Sequence, residues 1–390
     1  MVIPFQLIQP HKIVFGAGKI ADLPALAKFY GNDILLVTGK SSFINSKYCE
    51  YLLNTFDLTG IRYHLVSVSH EPSPEMISQA LIRHRDIKIK LIIAIGGGSV
   101  IDAGKAISAM LYRHEPVTDF LEGIGKLLHP GNKIPFIAVP TTSGTGSEAT
   151  KNAVISQVGQ NGYKRSLRHD NFVPDIALLD PELTLNCSQA LTASSGMDCF
   201  TQLTESYLSE QSFTYTEALA LEGLHNIKNY FFRSWNWGQD LEARSGMSYA
   251  ALLSGICLAN NGLGAVHGLA SSIGGLFNIP HSIICGTLMG VTNKVTIRNL
   301  RSKNPGHIAL IKYATLGKIF NDDKNKPENY YIDSFVDSID DYTEKFGISR
   351  LSDFGITKND IGNIISITGC KTHPVVLSEE EMTEILESGL

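Results

Sequence analysis

The chain has 390 residues, a formal net charge of −5 at pH 7, 43% hydrophobic residues and 18% charged residues. That length exceeds the size at which a single core keeps growing, so two domains meeting at a cleft are expected, and the composition is that of a globular protein, not a disordered one. The sequence has no basic stripe and no apolar run of membrane-spanning length, which excludes nucleic acid and membrane as expected partners and leaves a small molecule. The N-terminal segment MVIPFQLIQPHKIVFG lacks the features of a secretory leader, so a cytoplasmic location is expected. Six cysteines (Cys49, Cys187, Cys199, Cys257, Cys285 and Cys370) are scattered without a C-x-x-C. They read as reduced, small apolar side chains and not as disulfides or a thiolate metal site.

Along the first half, short aliphatic runs flanked by Gly, Pro or Asn recur: Ile34 to Thr38, Ile61 to Val66, Leu91 to Ile95, Ile134 to Val139 and Ile176 to Leu179. Stretches of helical spacing lie between them, among them Lys19 to Tyr30 and Ser99 to Leu111. The alternation predicts a parallel sheet wrapped by helices. After DPELT, Asp180 to Thr184, long helical windows take over: Ser188 to Ser209, Phe213 to Phe231, Asp240 to Ala259 and Asn304 to Phe320. The polar run Asp322 to Asn329 reads as a surface loop. An α/β domain over residues 1–184 and a mostly helical domain over residues 185–390 are therefore expected.

Two loops carry the first chemical signal. In LIIAIGGGSVIDAGKA, Gly96, Gly97, Gly98 and Ser99 follow a buried strand and precede a helix starting near Val100. Glycines there let the backbone approach a pyrophosphate, and the free N–H groups of the helix start favour an anion. A structural turn explains such a run alone equally well. The second loop, PTTSGTGSEAT from Pro140 to Thr150, offers hydroxyls to ribose and phosphate beside Gly144 and Gly146. Two such loops at adjacent strand ends point to a nucleotide crevice.

With GGGSVIDAGKA, PTTSGTGSEAT, LLDPELT, GMDCFTQLTESYLS and VHGLASSIGGLFNIPH in order over roughly Pro10 to Leu300, the sequence closely resembles the iron-dependent (group III) alcohol dehydrogenases. The resemblance implies an N-terminal Rossmann-like domain, an all-α C-terminal domain shared with the dehydroquinate synthases, and a divalent metal beside the nicotinamide. It implies that Gly97, Gly98 and Ser99 hold the pyrophosphate, that Thr141, Thr142 and Thr145 contact ribose and phosphate, and that Lys164 approaches the nicotinamide ribose. Leu183 is either a backbone contact or part of a turn, and Asp102 either serves the cofactor or stabilises its helix N-terminus.

The family pattern for the metal is an Asp, a His four residues later, and two more His fourteen residues apart. Asp198, His267 and His281 match it, while Gln202 stands where the second ligand should be His. The i to i+4 spacing still puts Gln202 beside Asp198, but an amide oxygen is a weaker, neutral donor. Independently, a carboxylate in the apolar window GMDCFTQL calls for a cation. An Asp and two His suffice for Zn or Fe(II) and leave positions open. Ser271, four residues after His267, replaces another His that many members use near the reacting carbon. His70 and His225 match no ligand motif.

The resemblance implies an oxidoreductase moving a hydride between NAD(P) and a small alcohol or aldehyde, active as a homo-oligomer, with a dimer expected. The rival readings are a metal-free reductase of the same fold, a non-catalytic dinucleotide-binding relative and a dehydroquinate synthase-like lyase. The apolar stretch from His267 to His281 favours a small uncharged substrate over the phosphorylated one a lyase needs. For the cofactor, NAD-specific members commonly carry an Asp at the position of Gly39. With Gly39 there, and Lys40, Ser41 and Ser42 following, NADP(H) is the expected preference.

Overall fold

The computed structural model describes residues 4–370 and 372–390. The aliphatic runs of the first half form strands because their β-branched side chains fill both faces of a covered sheet. Strand β1 spans Lys12–Phe15, helix α1 Leu23–Tyr30, β2 Asp33–Gly39, α2 Lys47–Thr59 and β3 Arg62–Val68. They are followed by α3 Pro74–His84, β4 Leu91–Gly96, α4 Gly98–Met110 and β5 Phe136–Pro140. A hairpin of β6 Asn152–Gln157 and β7 Tyr163–Arg168 precedes β8 Ile176–Leu179.

Six strands form one parallel sheet in the order β1-β8-β5-β4-β2-β3. From β2 the chain steps outward to β3, then crosses back to β4 on the other side of β2 and continues to β5. The direction of winding thus reverses between β2 and β4, and their carboxyl ends flank the crevice in which such sheets bind ligands. Gly39 closes β2 and Gly96 closes β4. One face packs Val37, Ile92, Ala94 and Phe136 with Ile77 and the α4 side chains. The other packs Leu36, Ile93 and Val139 with Leu23, Leu52 and Phe56.

The second half is helical: α5 Gln189–Leu208, α6 Thr214–Asn236, α7 Leu241–Asn261, α8 Ala265–Leu276 and α9 His281–Lys303. Then come α10 Ile308–Phe320, α11 Glu328–Lys345, α12 Ile361–Ser366 and α13 Glu379–Gly389. Met197, Phe200, Leu203, Phe231, Tyr313 and Phe335 centre its main core. The two halves meet where Ala177 and Leu179 of β8 pack on Leu252 and Ile256 of α7. Among the described residues, no single helix is long and apolar enough to cross a membrane.

The departures from the sequence expectation have local causes. Lys19 to Tyr30 is not one helix: Lys19–Asp22 is a 3-10 turn and α1 begins at Leu23, with Pro24 pre-set for its first turn. The helix expected from Asn304 begins at Ile308, after Pro305 and Gly306, with the His307 ring capping the Ala309 amide. The loop expected to reach Asn329 ends at Pro327, which caps α11. Strand β1 and the β6–β7 hairpin add to the expected elements, because KIVF is too short and YKRSLR too polar to carry a strand pattern.

Candidate functional site

The two glycine-rich loops lie side by side because β4 and β5 pair in register, Gly96 against Pro140. Gly97 caps α4 and Gly98 is its first residue. A side chain on Gly98 would strike the Thr145 hydroxyl at 2.8 Å, so the contact between the loops requires glycine there. One on Gly97 would meet Thr142 at 3.4 Å. Ser99, Thr141, Thr142 and Thr145 therefore gather around the free amides of α4 at the sheet's switch point. Gly39 and Ser42 stand at the neighbouring strand end, and Ser42 is exposed along with Lys40 and Ser41.

Asp102 points away from this opening. Its carboxylate accepts from the Ser147 hydroxyl and, at 3.1 Å, from the Val154 amide, so it anchors the second loop and the hairpin to α4. Buried Lys105, one turn on, donates to the Ser147 and Asn152 carbonyls and the Thr150 hydroxyl. Burial pulls the Lys105 ammonium down to about 8, against the opposing pull of Asp102. Leu183 lies in the 3-10 turn Pro181–Thr184 and packs against the sheet core. Lys164 sits on β7 with its ammonium paired to Glu71, which also accepts from Ser156 at 2.7 Å.

Asp198, Gln202 and Glu205 lie on successive turns of α5 and face the starts of α8 and α9. His267 is the third residue of α8 and His281 the first of α9. The His267 Nε2 atom lies 3.4 Å from Asp198 Oδ1, and His281 Nε2 lies 4.0 Å from the same oxygen. Cys285, one turn after His281, brings its sulfur within 3.8 Å of His267 Nε2 and 3.7 Å of His281 Nε2. The four donor atoms all lie within 4.8 Å of one another. The structure thus brings together Asp198, His267 and His281, and it places the buried Cys285 sulfur in the same cluster.

These donors fit a divalent ion better than they fit each other. Ligands held about 2.0–2.3 Å from a tetrahedral centre are separated by roughly 3.3–3.8 Å, near the distances in this cluster and too long for good hydrogen bonds. Asp198 is 2% exposed, and its Oδ1 has no hydrogen-bond partner among the described residues. The Gln202 oxygen is likewise buried and without a partner, while its Nε2 donates to the Thr145 carbonyl at 3.2 Å. Buried polar atoms without a partner are costly, and a cation removes that cost.

Electrostatics point the same way. Burial alone would raise the Asp198 carboxyl, yet the facing imidazoles of His267 and His281 hold it below the ordinary aspartate range. Burial likewise opposes a charged His267, but Cys285, Asp198 and Glu205 keep its pKa well above the usual value, so the cluster attracts positive charge. Burial, then repulsion by Lys164, drops His281 to about 4, leaving its imidazole neutral and able to donate a lone pair. Glu205 is a residue that the sequence motifs do not single out. It accepts from His267 Nδ1 at 2.7 Å, Val266 N at 2.7 Å and Gly264 N at 3.0 Å. It therefore caps α8 and fixes the ring with Nε2 facing the cluster. The Ser271 hydroxyl donates back to the His267 carbonyl at 2.9 Å.

Two family models match the chain: "Iron-containing alcohol dehydrogenase" over residues 10–181 and "Fe-containing alcohol dehydrogenase family, C-terminal" over residues 192–390. The NADPH-dependent butanol dehydrogenase of Clostridium saccharobutylicum is 29% identical over 97% of this chain and 96% of its own. The NAD-dependent methanol dehydrogenase of Bacillus methanolicus is 24% identical over 98% of each chain. An alcohol dehydrogenase structure from Oenococcus oeni matches with a TM-score of 0.87 and 26% identity, over 99% of this chain and 100% of the other. A 1,3-propanediol oxidoreductase structure matches with a TM-score of 0.89 and 25% identity over 100% of both.

Proposed function

Because the chain belongs to the iron-containing alcohol dehydrogenase family, we propose that the cleft between its sheet and its helical half is where it transfers a hydride between NAD(P) and a small alcohol or aldehyde. One observation carries this reading. The Gln202 amide, one turn from Asp198, bonds the Thr145 carbonyl of the loop that packs on Gly98, so a single side chain spans the dinucleotide crevice and the donor cluster. A nicotinamide extending from that crevice and a substrate oxygen at the cluster are thereby brought together.

In this reading residues 1–184 bind the cofactor and residues 185–390 hold metal and substrate. Gly97, Gly98 and Ser99 present the amides of α4 to the pyrophosphate, and Thr141, Thr142 and Thr145 position ribose and phosphate. Lys164, held by Glu71, stands on the nicotinamide side. Asp198, His267 and His281 hold the divalent ion, Zn or Fe(II), and Gln202, in the place of the family's second His, lies beside Asp198 on α5. Such an ion acts as a Lewis acid on the substrate oxygen, favouring the alkoxide in oxidation and polarising the carbonyl in reduction. Glu205 keeps His267 aimed, and the buried walls exclude water so that the reacting carbons are held close. Ser271 supplies no imidazole and its hydroxyl bonds the His267 carbonyl, so protons leave through water, the ribose hydroxyl or another residue. The free cysteines suit the cytoplasm, and a homodimer is the assembly that family habit suggests.

The carboxyl end of β2 supports a preference for NADP(H). A Cβ at Gly39 would meet only Val100, at 3.8 Å, so there is room for a side chain, yet no carboxylate is present to repel a 2′-phosphate. Lys40, Ser41 and Ser42 are exposed beside it. Gly39→Asp is expected to shift the ratio of kcat/KM values toward NADH by about tenfold, or ~1.4 kcal/mol. Steady-state kinetics with both cofactors and a small aldehyde tests it. Wild-type efficiency with NADH at or above that with NADPH defeats the preference.

A further inference from the structure

The four-donor cluster contains one side chain that a three-ligand site leaves idle. Cys285 is fully buried, and its sulfur lies 3.8 and 3.7 Å from the His267 and His281 Nε2 atoms, with the Asp198 carboxylate in the same cluster. With sulfur about 2.3 Å and nitrogen about 2.0–2.1 Å from a zinc-like ion, a tetrahedral S···N edge is roughly 3.5 Å. The sulfur therefore stands where a ligand sharing one ion with those two imidazoles should stand. Gln202 offers only a neutral amide oxygen, a weaker donor than a thiolate, and its amide nitrogen already bonds the Thr145 carbonyl.

We infer that Cys285, as a thiolate, is the fourth protein ligand of the divalent ion, in place of the imidazole that Gln202 replaces, with a fifth position left to the substrate oxygen. The inference rests on the metal-dependent function proposed for the cluster. When the ion enters, the Sγ–H bond breaks, the sulfur electron pair forms the metal–sulfur bond, and the proton passes to solvent with no change of oxidation state. His281 and Cys285 then ligate from consecutive turns of α9. Asp198 Oδ1, buried and without a hydrogen-bond partner among the described residues, completes the set from α5. Gln202 keeps its bond to Thr145 and serves the cofactor loop.

The test is the electronic spectrum of the full-length protein reconstituted with Co(II). The expected result is one bound Co(II) per chain with visible d–d bands and a near-ultraviolet sulfur-to-cobalt charge-transfer band. Cys285→Ser and Cys285→Ala should lose that band and weaken Co(II) binding by at least about tenfold, a loss that even outer-shell partners of a metal cause. Gln202→Ala should keep the band. A wild-type protein with d–d bands but no charge-transfer band overturns the inference and leaves the metal site of Asp198, His267 and His281 standing. Persistence of the band in folded Cys285→Ser or Cys285→Ala also overturns it. Failure to bind Co(II) overturns both the inference and the metal-dependent function. The wild-type spectrum decides between these outcomes even where a variant fails to fold.

Discussion

His267→Ala is expected to abolish stoichiometric metal binding and to lower kcat/KM for aldehyde reduction about a thousandfold or more. The ring is the hub of the cluster: Nε2 faces Asp198 at 3.4 Å, and Nδ1 bonds Glu205 at 2.7 Å. A Lewis acid at a developing alkoxide contributes several kcal/mol, and each ~1.4 kcal/mol is a factor of ten in rate. The same change removes the ring that bonds Glu205 through Nδ1 and faces Asp198 through Nε2, leaving two buried carboxylates short of a partner. Leaving a buried hydrogen-bonding group unsatisfied costs about 1–3 kcal/mol of stability, so the variant should also unfold at lower denaturant. Metal analysis and kinetics on protein verified as folded check the expectation. Unchanged stoichiometry with retained turnover would remove His267 from the site.

Glu205→Ala is expected to weaken metal binding by about 10–100-fold although the carboxylate is not proposed to touch the ion. Outer-shell partners of ligating histidines act on this scale by fixing ring orientation. Burial would raise the Glu205 carboxyl, yet the bond from His267, that ring's charge and the Val266 amide hold it below the ordinary glutamate range. Losing it also strands the Gly264 and Val266 amides at the start of α8. Glu205→Gln keeps an acceptor oxygen and should recover much of the stability, but only part of the metal affinity. Isothermal titration with Zn(II), alongside denaturant unfolding, separates the two effects. Equal metal affinity in wild type and Glu205→Ala would show that the carboxylate only caps the helix.

The parts of this architecture legible in the sequence are those with a period or a context. Leu91 to Ile95 reads as a buried strand and GGGS as the turn into a helix, and the structure has β4 running straight into α4. Asp198, His267 and His281 are found by position in long motifs, and they converge because α5, α8 and α9 present the matching turns. Cys285 escapes a sequence reading because a lone Cys in an apolar helix resembles a small core residue. The signal that could have found it is His281-x-x-x-Cys285, the same i to i+4 spacing that links Asp198 to Gln202. Glu205, seven residues after Asp198, is open to the same helical argument. Asp102 is ambiguous in the sequence because its partners, Ser147 and Val154, are set by tertiary packing. The hairpin stays hidden because its polar residues, Lys164 among them, face partners from distant segments.

The most direct test of the central claim follows the hydride itself. The metal-loaded protein is incubated with NADPH deuterated at the transferable nicotinamide C4 position and with a panel of small aldehydes that includes butanal, and the alcohols are analysed by mass spectrometry. Metal-assisted hydride transfer predicts one deuterium on C1 of the product, loss of that transfer when the protein is stripped of metal, and its return when Zn(II) or Fe(II) is restored. Absence of deuterated alcohol from either NADPH or NADH, or transfer that continues undiminished after the metal is removed, would contradict it.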